Sequence, residues 1–497
     1  MMHGQGKSDD LIVPSKPPNN AGEPVAEAVE GSRSTTGNPD QQNASRTQCR
    51  EIAPSALDRI RQLARKDQNA TFTALFHHLT IDRLRLAFFG LNRKAAPGID
   101  GVTWLQYEAD LESHLQDLHR RLQRGAYRAR PSRRVFIPKA DGRLRPLGIA
   151  ALEDKIVQRA TVEVMNAIYE TDFLGFSYGF RPGRSPHDAL DALATAIKRR
   201  NVNHVLDADI RGYFDAICHK WLAKFVEHRI GDKRLLRLIQ KWLKAGVMAD
   251  GNWTKSEEGT PQGATISPLL ANIYLHYVLD LWLHQWRRQH AKGDVVAIRF
   301  ADDFIVGFEH REDAQQFLAD LHERLRKFGL ELHPDKTRLL TFGKHASWRR
   351  AAQGAGKPET FNFLGFTHIC GKKRRGGFLL LRHTMRERMR AKLKSVKAEL
   401  KRRMHLPIPE QGKWLRRVVE GYFQYYAVPT NGKSLLTFRL EVLKHWQHAL
   451  NRRSQRGRHT WPRMNALSLR WLPSARNRHP WPDERFDVKT RGRSPVR

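Results

Sequence analysis

This 497-residue chain has few cysteines, few acidic residues relative to basic ones, and no long apolar run. Its three cysteines, Cys49, Cys218 and Cys370, are scattered singly. Their spacing suggests neither a disulfide framework nor a zinc module, and such usage fits a reducing, bacterial-type cytoplasm. The most apolar stretch, 268–284, is interrupted by Asn272, His276 and Asp280, so no transmembrane span and no membrane partner are expected. The N-terminus lacks the basic-then-apolar order of a secretory signal. Acidic side chains number 51 against 87 Lys and Arg, a formal net charge of +36. That surplus argues against an ordinary metabolic enzyme and for a polyanionic partner. The excess is concentrated in residues 371–497, which hold 33 Lys and Arg against 8 Asp and Glu, so nucleic acid should be bound there.

Against this basic background one acidic pair stands out, in Val-Val-Ala-Ile-Arg-Phe-Ala-Asp-Asp-Phe-Ile-Val-Gly-Phe at 295–308. Apolar residues run up to Asp302 and Asp303 and resume directly after them, which predicts strand, tight turn, strand. Adjacent carboxylates at a hairpin tip repel each other and must lose water. Divalent cations offset that cost, and nucleotidyl transfer uses such cations to stabilise the attacking and leaving oxygens. A third carboxylate is available in His-Val-Leu-Asp-Ala-Asp-Ile-Arg-Gly-Tyr-Phe-Asp at 204–215. In a strand Asp207 and Asp209 point to the same face, so spacing leaves both as candidate ligands. One acid of this segment should instead cap a helix starting near Phe214.

Eight blocks follow one another in a recognisable order. They are Ala-Ala-Pro-Gly-Ile-Asp-Gly (95–101), Ile-Pro-Lys-Ala-Asp-Gly-Arg-Leu-Arg-Pro-Leu-Gly-Ile (137–149), Gly-Phe-Ser-Tyr-Gly-Phe-Arg-Pro-Gly-Arg-Ser (175–185) and Asp-Ile-Arg-Gly-Tyr-Phe-Asp (209–215). Then come Gly-Thr-Pro-Gln-Gly-Ala-Thr-Ile-Ser-Pro-Leu-Leu-Ala-Asn-Ile (259–273), Phe-Ala-Asp-Asp (300–303), His-Pro-Asp-Lys-Thr (333–337) and Phe-Asn-Phe-Leu-Gly-Phe (361–366). The chain thus resembles, over roughly residues 70 to 480, a bacterial group II intron-encoded reverse transcriptase and maturase. Where that family usually carries Tyr before Ala-Asp-Asp, this chain has Phe300.

The resemblance implies an α/β fold, a right-hand polymerase with fingers, palm and helical thumb. It assigns Asp209, Asp302 and Asp303 as catalytic ligands of two Mg²⁺ ions, a choice suited to hard oxygen donors and substrate phosphates. It further implies a dNTP pocket of Lys139, Arg145, Phe214, Gln262, Gly263 and Lys336. Lys139 and Arg145 flank a hairpin-like turn and would meet the triphosphate. Phe214 would crowd the sugar 2′-position, Gly263 would allow close backbone approach, and Lys336 would protonate the departing pyrophosphate.

Organisation follows from composition and the resemblance together. Residues 1–55 are expected to be a disordered tail, rich in Ser, Asn, Gly and Pro. Fingers are expected over 56–200, the palm over 201–370, a basic linker over 371–384, and a helical thumb (maturase domain X) over 385–455. An Arg- and Trp-rich tail, 456–497, suits phosphate contact with base stacking. In the thumb, Met389, Leu393, Val396, Leu400 and Met404 form one apolar stripe, and Gly-Tyr-Phe-Gln-Tyr-Tyr at 421–426 is expected to begin a second helix. No Cys-x-x-Cys pair supplies an endonuclease domain, so second-strand cutting by this protein is not expected. The implied partners are intron RNA in a ribonucleoprotein, template RNA and a DNA primer or target. Two other readings stay open: a reverse transcriptase of another lineage (retron, diversity-generating or CRISPR-associated) without a splicing role, and a non-catalytic splicing factor.

Overall fold

The computed structural model describes residues 56–138, 144–249, 252–254, 258–260, 263–453 and 458–490. The expected disordered tail, 1–55, and the Lys139 and Gln262 assignments lie outside these residues. Eleven strands are described: β1 (Ser132–Pro138), β2 (Leu144–Ile149), β3 (His204–Asp209), β4 (Val247–Ala249), β5 (Asn252–Thr254), β6 (Val295–Phe300), β7 (Asp303–Phe308), β8 (Arg338–Thr341), β9 (Phe361–Phe363), β10 (Phe366–Lys372) and β11 (Phe378–Thr384). They form three sheets, ordered β2-β1-β4-β5, β6-β7-β3-β8 and β11-β10-β9.

The central sheet β6-β7-β3-β8 is antiparallel throughout. Strands β6 and β7 are buried along almost their whole length, which is why they read as unbroken apolar runs instead of alternating ones. Burial lapses at Phe300, Asp303 and Asp209, so three strand ends open along one edge. The helices Ser267–Leu275 and Leu281–Gln289 are joined through a π-helical turn at His276–Asp280. A π-bulge inside a helix commonly marks a functional constraint, and here it carries the buried Asp280. No helix among the described residues is long and apolar enough to cross a membrane.

A second apolar core belongs to the C-terminal helices Arg386–Arg402, Ile408–Tyr426, Gly432–Asn451 and Trp461–Trp471. Val396 and Leu400 of the predicted stripe are buried in it, with Met389, Leu393 and Met404 packed at its margin. Two local expectations are corrected. The 421–426 aromatic run ends a helix instead of beginning one, because the helix starts at Ile408 behind Pro407. The basic run at 371–377, expected as a linker, is the tip of the antiparallel hairpin β10–β11. Gly376 and Gly377 at that tip have φ of +86° and +87°, a conformation only glycine adopts without strain.

The tail does not extend freely. Trp471 packs so closely that a Cβ on Gly412 would lie 2.5 Å from its ring. Beyond it, the helix Pro482–Thr490 returns to the helix Pro186–Arg199 through a ladder of ion pairs. Arg199 pairs with Asp487 at 2.7 Å and Lys489 with Asp188 at 2.6 Å, while Lys198 meets Asp483. Arg485 and Arg382 share the buried Asp191, at 3.0 and 2.9 Å.

Candidate active site

The pairing register sets the site. Asp209, the last residue of β3, stands directly opposite Asp303, the first of β7. Phe300 pairs with Asp303 across the turn, leaving Ala301 and Asp302 at its tip. Ala301 takes φ +59°, the left-handed conformation that so tight a reversal demands. Strand pairing therefore brings Asp209 beside the β6–β7 turn that carries Asp302 and Asp303.

Both candidates on β3 do share a face, and their neighbours separate them. Asp207 pairs with Arg338 of β8 at 3.5 Å, and loss of hydration pushes its carboxyl up to about 6 despite that guanidinium. Asp209 receives the Lys336 ammonium instead. The expected helix cap does not form: residues 211–215 are turns, and the next helix begins at His219. Asp303 is raised well above the usual carboxylate range, first by burial and then by Asp207, Asp209 and Asp302, with Lys336 opposing. Four carboxylates against one ammonium and one guanidinium leave an excess of negative charge that further cations would offset. Among the described residues no group of three or more His, Cys, Asp or Glu is arranged as a ready-made metal site. The donor chemistry nevertheless fits Mg²⁺, which completes its shell with water and substrate phosphates.

Other predicted residues converge from distant segments. Phe214 is half-buried in the turn after β3, and its carbonyl accepts from Thr260 N–H at 2.8 Å. A Cβ on Gly259 would press to 2.9 Å on the Phe214 and Asp215 carbonyls. Gly263, at φ +109°, is equally confined, since a Cβ there would lie 2.7 Å from the Gly148 carbonyl of β2. Gly259 is thus held against the Phe214–Asp215 backbone and Gly263 against β2. Arg145 lies on β2, paired with Ile137. Lys336 sits on Asp209, in the acid cluster. A cleft of about 860 Å³ runs from Asp207, Asp209 and Asp303 past Leu364 and Gly365 to Tyr425 and Tyr426.

Sequence reasoning missed the support of the acidic turn. Arg299 is buried, and each of its five N–H groups has an acceptor. Nε and Nη2 grip Asp280 at 2.7 and 2.6 Å, Nη2 also reaches Ser177 Oγ at 2.7 Å, and Nη1 donates to Asn272 Oδ1 and the Ala301 carbonyl, both at 3.0 Å. The 175–185 block lies alongside: Tyr178 N–H donates to the Arg299 carbonyl at 2.8 Å and Arg299 N–H to the Phe176 carbonyl at 2.9 Å. Gly179 is so close to the turn that any Cβ would collide with the Ala301 amide nitrogen. A lone Arg in an otherwise apolar strand was the available signal, since a buried guanidinium requires partners.

Residues 137–368 match the family described as reverse transcriptase (RNA-dependent DNA polymerase). The chain carries a reverse transcriptase domain. Among curated relatives, Protein YkfC of Escherichia coli (strain K12) is 39% identical over 239 residues, covering 42% of this chain and 62% of that protein. Group II intron-encoded protein LtrA of Lactococcus lactis subsp. cremoris is 35% identical over 233 residues, covering 45% of this chain and 38% of LtrA. An uncharacterized 91 kDa protein in the cob intron of Schizosaccharomyces pombe is 30% identical over 328 residues, covering 61% of this chain and 38% of that protein. The chain therefore spans between about a third and two thirds of these relatives. The reverse transcriptase domain takes in β2 to β9, the whole acidic edge and the 259–263 block, whereas the C-terminal helices lie beyond it.

Proposed function

We propose that this protein is an RNA-directed DNA polymerase that also assists splicing of a group II intron RNA and copies that RNA into DNA. The supporting observation is the cross-strand opposition of Asp209 and Asp303, with Asp302 in the adjoining β6–β7 turn, at an open end of a buried sheet. Two Mg²⁺ ions held by these carboxylates would stabilise the attacking 3′-oxygen and the departing pyrophosphate. The protein's own part is to fix the carboxylates on rigid strands, confine the incoming nucleotide between Phe214, Gly263 and β2, and keep the cleft open towards Tyr425 for the primer. Lys139, Arg145 and Gln262 would complete the contacts to the nucleotide. Purified protein should extend a DNA primer on an RNA template with dNTPs and Mg²⁺, and chelation should stop it. Failure to extend any annealed primer would remove the polymerase reading.

Sugar selection follows from Phe214. If its ring fills the 2′ space, Phe214→Val should raise NTP incorporation relative to dNTP by tenfold or more, with little change for dNTPs. An unchanged ratio would return Phe214 to the core, against which it already packs.

The splicing half rests on the two intron-protein relatives named by their intron origin and on the basic C-terminal region. Arg452, Arg453 and Arg458 are exposed at the end of the Gly432–Asn451 helix and just after it, while the neighbouring Arg456 lies outside the described residues. Replacing the three by Ala should flatten the log–log salt dependence of intron RNA binding by about 0.7 to 0.9 for each phosphate no longer neutralised. Splicing stimulation at low Mg²⁺ should fall, and extension of a pre-annealed primer should persist. A wild-type protein that gives no stimulus with the RNA flanking its own gene would limit the function to reverse transcription.

A further inference from the structure

Phe180 is at odds with two ordinary preferences at once. Its backbone lies at φ +58°, where a bulky side chain is strained, and its ring is 55% exposed. Burial therefore does not offset the strain, yet the loop is fastened on every side. Asn272 Nδ2 donates to the Gly179 carbonyl at 2.7 Å, and Arg184 to the Gly175 carbonyl at 2.6 Å. The buried Arg181 guanidinium binds the Leu174 and Ser177 carbonyls, both at 2.9 Å, and Glu170 at 3.0 Å. Strain held in place by so many hydrogen bonds points to a use for the side chain it presents. The ring lies 6.5 Å from Phe300, one residue before the acidic turn, and Gly179 abuts Ala301 within that turn.

We propose that Phe180, together with Phe300, forms an aromatic floor for the terminal base pair of the template–primer duplex, stacking on its sugar and base edge beside Asp302. A flat apolar ring serves every sequence equally, as a polymerase requires, because each nucleotide offers an apolar face. A rigid loop that holds the ring in advance avoids an ordering cost on binding. The proposal rests on the polymerase reading and adds a substrate contact outside the carboxylate and nucleotide sites.

The test compares Phe180→Asn, a residue that tolerates this backbone conformation, with Phe180→Trp, which keeps an aromatic face. Affinity for a fluorescent RNA–DNA primer–template, single-nucleotide extension and melting temperature would be measured on the full chain. Phe180→Asn should keep or raise the melting temperature, bind the duplex about tenfold more weakly and lose extension accordingly. Phe180→Trp should retain both. Wild-type duplex affinity in Phe180→Asn would overturn the proposal, as would a loss of affinity that merely tracks a fall in melting temperature. A wild-type protein that binds the duplex without extending it would instead sink the polymerase reading, leaving the affinity comparison to decide this one.

Discussion

Replacing Asp302 and Asp303 by Ala should abolish primer extension, lowering it by at least about 10⁴-fold, while the chain folds and binds RNA as before. The size of the effect follows from what the carboxylates hold. Charge stabilisation at the reacting phosphate is commonly the largest single contribution to such catalysis, and these two carboxylates stand at the turn and strand end that face Asp209. Stability should not suffer. Burial and the neighbouring Asp207, Asp209 and Asp302 all oppose the charged form of Asp303, so its removal ends a cost that the folded state otherwise bears. The double variant should unfold at an equal or higher denaturant concentration than the wild type. Extension at near wild-type rate would refute the metal-site assignment, and gross unfolding would refute the electrostatic account of the cluster.

How much of this was legible in the sequence depends on how local each cause is. The run from 295 to 308 announced β6, the turn and β7 almost to the residue, because strand burial and turn chemistry act between neighbours. The choice between Asp207 and Asp209 was not legible from spacing, and only the family resemblance assigned Asp209. Both carboxylates obey the same two-residue period, and what distinguishes them, Arg338 and Lys336, arrives from far along the chain. The Gly-Lys-Lys-Arg-Arg-Gly-Gly run shows the same limit. Its composition suits a linker and a hairpin tip equally, and only pairing with Phe378–Thr384 decides. The tail's arginines read as free for nucleic acid, yet Arg485 is engaged by Asp191 of a helix far earlier in the chain. Gly179 is the clearest case. Nothing in its own segment requires glycine, and its reason is the Ala301 backbone lying against it.

The same non-local logic makes Arg299 the position where one substitution should cost most in stability. Its five donors serve Asp280, Asn272, Ser177 and the Ala301 carbonyl, and both members of the ion pair are fully buried. Arg299→Met would leave the Asp280 carboxylate unpaired inside the protein, a defect worth about 3–5 kcal/mol. That is a large part of the roughly 5–15 kcal/mol that holds a typical domain folded, so the variant should lose much of its denaturant midpoint. Asp280→Leu combined with Arg299→Met removes the orphan charge and should recover most of that loss, since buried pairs exchange for apolar residues at small net cost. Extension should stay low in the double variant, because Met cannot hold the Ala301 carbonyl and the acidic turn loses its anchor. Recovery of stability without recovery of rate would make Arg299 a positioning residue for the carboxylates. Recovery of both would reduce it to a piece of the core, and an unaltered midpoint in Arg299→Met alone would refute the buried network itself.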